Sequence, residues 1–247
     1  MMRFVGRLVV VGALVGCMGM VEAATLIAEP FNQSGTMGTG VYSSWTSVSG
    51  SGNQLVVSAT NGLEFGASDH DYRQTFASQT GVVYFGIDIA PQTLPSSGSE
   101  YAFALSDGGS YVGRFFLASA NSGSNYNLGV SVNSGSSAST STSNFGLEEQ
   151  RIVGSYNPSN GEISMWAGSL VEGSPLLTVT GSTAPEIDGF NLRQAGSFDN
   201  GASSIFMKDL IVSDDFATAA AVVPEPSCFA FAGLGLAAVA WRLRRRG

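Results

Sequence analysis

The chain has 247 residues, 32 of them glycine, and is 44% hydrophobic but only 12% charged. That much apolar side chain can form a sizeable core, which excludes a charge-rich disordered chain. The formal net charge of -8 conceals a division: 17 of the 19 acids but only five of the 11 bases lie between Thr25 and Val223, so nucleic acid and anionic lipid should repel that stretch.

The chain opens with MMRFVGRLVVVGALVGCMGMVEA. Arg3 and Arg7 precede an apolar run from Leu8 to Met20, and small residues follow at Val21-Glu22-Ala23. This order predicts a secretory signal helix over residues 1–23, cut by signal peptidase between Ala23 and Ala24. The stretch Leu14-Val15-Gly16-Cys17 also resembles a bacterial lipobox, which would make Cys17 a lipidated N-terminus; the plainer reading treats Cys17 as one more apolar residue of the signal. The second cysteine, Cys228, lies near the other end. The body between them therefore has no disulfide framework, no CxxC redox pair and no cysteine-ligated zinc.

From Thr25 onward short β-rich runs alternate with Gly/Ser/Asn turns. Strands are predicted at Gln54–Ser58, Val82–Ile89, Tyr101–Ser106, Tyr111–Ala118, Tyr126–Val132, Arg151–Tyr156, Glu162–Ala167, Leu176–Thr180, Ile187–Arg193 and Ser204–Ser213. Tyr126, Leu128, Val130 and Val132 share one face of their strand. Tyr101, Phe103 and Leu105 alternate with Ala102 and Ala104, which suits a strand packed on both sides. Asn157-Pro158-Ser159-Asn160-Gly161 reads as a hairpin turn, and Asn133–Asn144 as a polar loop. No amphipathic helix is evident in the body.

The hairpin Ile152–Gly168, the closing run Ile205–Val212 and the opening Ala28-Glu29-Pro30-Phe31-Asn32 resemble laminin-G/concanavalin A-like jelly rolls. The resemblance implies an antiparallel jelly-roll sandwich over residues 24–216. A linker over 217–223 is expected to follow.

The body offers little catalytic chemistry in sequence. No strand carries acids two and four residues apart, the spacing that would aim them together into a cleft. Asp88 and Glu162 each stand alone on their strands, and Glu148-Glu149 would face opposite ways. A carboxylate pair assembled from distant strands is left open. His70, the one histidine, lies in Ser68-Asp69-His70-Asp71-Tyr72-Arg73 and reads as a solvated loop residue rather than a triad base or metal ligand. Asp69 with Asp71, Asp107, Asp199-Asn200-Gly201 and Asp214-Asp215 are oxygen-rich but lack EF-hand spacing, so no metal and no cofactor is assigned. Tyr42, Trp45, Tyr72, Tyr111 and Trp166 are candidates for stacking on sugars, or core residues.

The chain closes with Pro224-Glu225-Pro226, an uncharged run over 227–241, and Arg242, Arg244, Arg245 and Arg246 around Leu243. Fifteen helical residues would extend roughly 22 Å, short of a roughly 30 Å hydrocarbon core, though snorkelling arginines lengthen the reach. A transmembrane helix over 227–241 would keep its arginines cytoplasmic and its body outside. The prolines hold the preceding tripeptide extended. Pro-Glu-Pro, apolar helix and arginine cluster, in this order over 224–247, resemble the PEP-CTERM sorting signal. That resemblance implies processing by an exosortase and transit from the inner membrane to the cell surface or extracellular matrix.

Together these readings predict a non-catalytic surface or matrix protein, with extracellular polysaccharide as its candidate ligand and no nucleic-acid partner. A secreted carbohydrate-active enzyme on the same fold is the alternative. Ice binding is another, since similar tails occur on ice-binding proteins, but only Thr140-Ser141-Thr142 hints at a Thr-x-Thr array.

Overall fold

The computed structural model describes residues 23–50, 54–65, 70–93, 99–120, 124–135, 138–181, 185–193 and 204–221. The expected signal and transmembrane helices, both cysteines, Asp69 and the Asp199-Asn200-Gly201 turn lie outside these residues.

The strands in chain order are β1 (Thr25–Glu29), β2 (Gly35–Thr36), β3 (Thr46–Ser49), β4 (Val56–Ser58), β5 (Gly62–Phe65), β6 (Asp71–Gln79), β7 (Val83–Thr93) and β8 (Ser99–Asp107). They continue with β9 (Ser110–Ala120), β10 (Asn125–Val132), β11 (Ser139–Thr140), β12 (Gln150–Asn157), β13 (Glu162–Ala167), β14 (Leu177–Thr180), β15 (Ile187–Leu192) and β16 (Ser204–Ser213). A short helix, α1 (Phe216–Ala220), follows β16.

They form two antiparallel sheets. The nine-stranded sheet runs β14-β13-β12-β7-β16-β5-β4-β2, with β1 also paired to β16. The seven-stranded sheet runs β11-β10-β9-β8-β15-β6-β3. Crossovers between non-consecutive neighbours give the jelly-roll sandwich expected from sequence.

The core lies between the sheets because each strand turns alternate apolar residues inward. Phe85 of β7 makes an edge contact with Phe115 of β9 at 4.6 Å between ring centroids and meets Phe190 of β15 at 5.1 Å. Gly154 of β12 pairs with Phe85, and a Cβ there would overlap both Phe85 and Phe115. The missing side chain is what lets those rings meet across the sandwich.

The Asn157–Gly161 segment is the hairpin turn expected from sequence. At the β12–β13 hairpin Gly161 takes φ +69°, and its N–H donates to Asn157 O at 2.8 Å. Gly108 and Gly109 supply two successive positive φ values, 53° and 100°, between β8 and β9. That is the backbone a tight two-residue hairpin requires.

Several expectations change. β2, β3, β5 and β6 were not foreseen as strands. β6 contains Asp71-Tyr72-Arg73, expected as loop, and its signal is weak because only Tyr72 and Phe76 mark its inner face. The polar run Asn133–Asn144 contains β11, which pairs with β10. Residues 217–220, expected as linker, belong to α1. Phe216 and Ala219 are buried against Val153 and Trp166. Asp215 caps the helix, accepting from Thr218 N at 2.7 Å and Thr218 Oγ1 at 2.8 Å, and these bonds lower its pKa.

Candidate sugar-binding face and the C-terminal sorting motif

The outer face of the seven-stranded sheet gathers aromatic and basic residues that are distant in sequence. Strand pairing aligns Arg73, Asn191, Ala104, Arg114 and Ser131 in one row across β6, β15, β8, β9 and β10. The register shift between Tyr101 and Phe103 leaves Ala102 as the extra residue of a bulge. Tyr101 therefore leaves the inward set and joins Ala104, Phe116 and Tyr111 on the outer face, while Phe103 and Leu105 stay in the core. The simple alternation read from sequence misses Tyr101 for this reason.

Two guanidinium groups lie over the Tyr101 ring. Arg193 Cζ is 4.1 Å from its ring centroid and Arg114 Cζ is 5.0 Å from it. Tyr111 packs edge-on at 5.8 Å and lies 5.7 Å from Arg114 Cζ. Such stacking is attractive and holds the planar cations in fixed orientations. Asp71 anchors the edge of this group. Its Oδ2 accepts from Ser49 Oγ at 2.8 Å and from Tyr111 Oη at 3.2 Å, and Arg193 Nε is 3.8 Å away. Burial, then the neighbouring carboxylate, pushes the Tyr111 phenol well above its ordinary pKa, so it remains a neutral donor. At the far end of the row Arg73 pairs with Asp188, which also accepts from Gly108 N.

α1 covers the middle of the other outer face, on the nine-stranded sheet. On one side of it, a cleft of ≈ 240 Å³ is lined by Asp88, Glu149, Phe206 and Lys208 among others. Asp209 lies beside it in a bulge of β16 at φ 51°. Burial, then the charge of Asp88, raises the Asp209 carboxyl to about 6. Asp88 and Asp209 thus come near each other from different strands, the kind of pairing that sequence left open, but they line different clefts. Asp88 is committed to a buried ion pair, however, with Arg151 Nη1 at 3.0 Å. The same nitrogen donates to Asp209 O at 3.0 Å. On the other side of α1, a cleft of ≈ 210 Å³ is lined by Tyr84, Glu162, Trp166 and Glu172 among others. Tyr84 Oη donates to Glu172 Oε1 at 2.9 Å, and burial first, then this carboxylate, raises its phenol to about 12.

The sequence candidates are now placed. Tyr42, Trp45, Tyr72 and Trp166 are buried, although Trp166 also lines the cleft beside Tyr84; Tyr111 is part-buried on the outer face of the seven-stranded sheet. His70 is partly exposed with Nδ1 3.4 Å from Ser47 Oγ. Asp107 sits at the β8–β9 turn, and Asp214 accepts from Ala24 N at 2.8 Å. Among the described residues no group of three or more His, Cys, Asp or Glu side chains is arranged to hold a metal ion. Among them also, no helix is long and apolar enough to cross a membrane. Pro224, Glu225, Pro226 and the four C-terminal arginines lie outside the described residues.

Residues 222–246 match the family described as the PEP-CTERM protein-sorting motif. No curated protein matches the chain by sequence. Among solved structures, the CBM2 module of the Lactobacillus casei BL23 phage J-1 evolved Dit is similar to it, with TM-score 0.52 and 14% identity over 77% of this chain and 95% of that one. A sialidase is similar with TM-score 0.50 and 10% identity over 77% of this chain, but that match covers only 18% of the sialidase. The Emp47p carbohydrate recognition domain gives TM-score 0.48 and 11% identity over 76% of this chain and 93% of that one. The motif implies export, exosortase processing and sorting to the surface. The chain thus carries a PEP-CTERM sorting motif at the C-terminus of an all-β, concanavalin A-like jelly roll.

Proposed function

We propose that this is a cell-surface or extracellular-matrix protein whose sandwich binds carbohydrate without transforming it. Signal peptidase releases it at Ala23–Ala24. An exosortase reads Pro224-Glu225-Pro226 while the run 227–241 and Arg242, Arg244, Arg245 and Arg246 hold the chain in the inner membrane.

The observation that carries the binding reading is the Arg193–Tyr101–Arg114 stack with Tyr111 beside it. Aromatic rings cover the apolar face of a sugar, and fixed guanidinium donors take its oxygens. A non-catalytic role is supported by two carboxylates, one under each face, that are engaged in structure. Asp71 accepts from Ser49 and Tyr111, and Asp88 pairs with Arg151.

The second reading, a carbohydrate-active enzyme, draws on Asp209. Its pKa of about 6, beside Asp88 and Glu149, is the environment that separates a proton donor from an ionised partner. Hydrolysis of any polysaccharide, lost in Asp209→Asn, would favour it.

The sorting half is tested by replacing Pro224, Glu225 and Pro226 with alanine in a cell that encodes an exosortase. The variant should accumulate uncleaved in the inner membrane, with its sandwich outside. Arrival at the surface or matrix as efficiently as wild type would show that the tail is an ordinary anchor.

A further inference from the structure

We infer that the ligand of the seven-stranded face is an anionic polysaccharide, and that Arg114 is the residue that recognises its carboxylate or sulfate groups. The inference rests on the binding reading above and narrows it to a ligand class.

Three of the body's five bases, Arg73, Arg114 and Arg193, share this one face. The body as a whole carries 17 acids against five bases, so an anionic chain would meet repulsion over much of it and attraction where these arginines gather. The three cations are not equivalent. Arg73 is paired with Asp188, and Arg193 lies beside Asp71. Arg114 has no carboxylate within salt-bridge distance among the described residues. Its Nε, like those of Arg73 and Arg151, is buried without a hydrogen-bond partner among the described residues. Arg114 is only part-buried, so an oxyanion would meet the terminal end of its fork rather than that Nε.

Arg114 is also held in place. Tyr101 and Tyr111 flank it, and its row places it between Ala104 and Ser131 on neighbouring strands. A planar fork fixed by stacking loses little freedom when it takes a carboxylate or sulfate through two N–H donors. Along the same row, at about 4.8 Å per strand, Arg73 lies three strands away. A polymer with regularly repeated charges can therefore meet the row at more than one point, with Tyr111 offering a ring between charges.

The test is affinity electrophoresis of the detergent-solubilised full chain through gels containing polygalacturonate, dextran sulfate or uncharged dextran. Retardation is expected in an anionic gel and not in dextran, weakening as salt rises. Arg114→Gln should weaken it about tenfold or more, the loss of one charge-assisted contact. Arg114→Lys, which keeps charge and loses the fork, should be intermediate; it also serves if the Gln variant fails to fold. Preference for polygalacturonate would assign carboxylate, and preference for dextran sulfate would assign sulfate. Equal retardation by dextran, or insensitivity to both substitutions, would overturn the anionic assignment while leaving carbohydrate binding in place. Retardation by none of the three would overturn the inference, and failure on a wide panel of neutral and charged glycans would overturn carbohydrate binding itself.

Discussion

Arg151 Nη2 donates to the carbonyl oxygen of Ala219 at 2.8 Å. Because Arg151 Nη1 also holds Asp88 and the carbonyl of Asp209, one buried side chain ties β12, β7, the bulge of β16 and the end of α1 together. α1 ends at Ala220, and Pro224 is four residues further on.

Arg151→Met should destabilise the protein by roughly 3–5 kcal/mol. The substitution keeps much of the volume but leaves Asp88 buried without its partner. Chemical denaturation of both forms checks this. A change within about 0.5 kcal/mol would show that Asp88 finds solvent or another donor.

Gly86→Ala isolates the docking of α1. A Cβ at Gly86 would overlap Ala219 O and crowd Arg151, while Gly86 itself sits among strands that stay paired. Stability should fall by roughly 1–3 kcal/mol. Amide exchange should accelerate over 216–221 far more than in β7 or β12. Uniform acceleration across the sheet would contradict a separately docking helix.

Asp209 gives a pH dependence of definite sign. Its folded-state pKa, about 6, lies above the unfolded value near 3.8. The folded state therefore binds the proton more tightly. This contribution is fully present below about pH 3.8 and is lost as pH rises through about 6. Asp209→Asn should remove that fall and raise relative stability at pH 7. Asparagine also tolerates the positive φ at this position. Melting curves from pH 4 to 7 that remain parallel for the two proteins would count against the shifted carboxyl.

The proposed mature N-terminus has a partner waiting. Ala24 N donates to Asp214 Oδ1 at 2.8 Å, and Ala24 O accepts from Ser213 Oγ at 3.0 Å. Cleavage before Ala24 would turn that N–H into an ammonium beside the carboxylate. Asp214→Asn should destabilise the mature protein by no more than about 1 kcal/mol, because the pair is exposed. The uncleaved precursor should be affected less. Equal effects on both forms would mean that the charge at Ala24 adds nothing.

Much of the sandwich was readable from period-two patterns. Tyr126, Leu128 and Val130 are buried on one face as predicted, and the Asn157–Gly161 turn joins the strands it was expected to join. β6 was not readable, because Asp71 and Arg73 are polar for reasons supplied by partners far along the chain, Tyr111 and Asp188. Tyr101 was misplaced by one extra residue, Ala102, whose bulge depends on pairing with β9. Arg114 gave no local signal. Its neighbours Tyr101 and Tyr111 approach it only once β8 and β9 pair, and that no acid among the described residues pairs with it is a property of the assembled face. α1 is too short for an amphipathic period and is recognisable by its Asp215 cap and its packing on Trp166.

The intact mass of the protein recovered from the surface of cells that produce it with an exosortase tests the account most directly. The account predicts a chain beginning at Ala24 and ending at or near Pro224-Glu225-Pro226, without the run 227–241 and without Arg242, Arg244, Arg245 and Arg246. A surface-recovered mass that retains those arginines would contradict it.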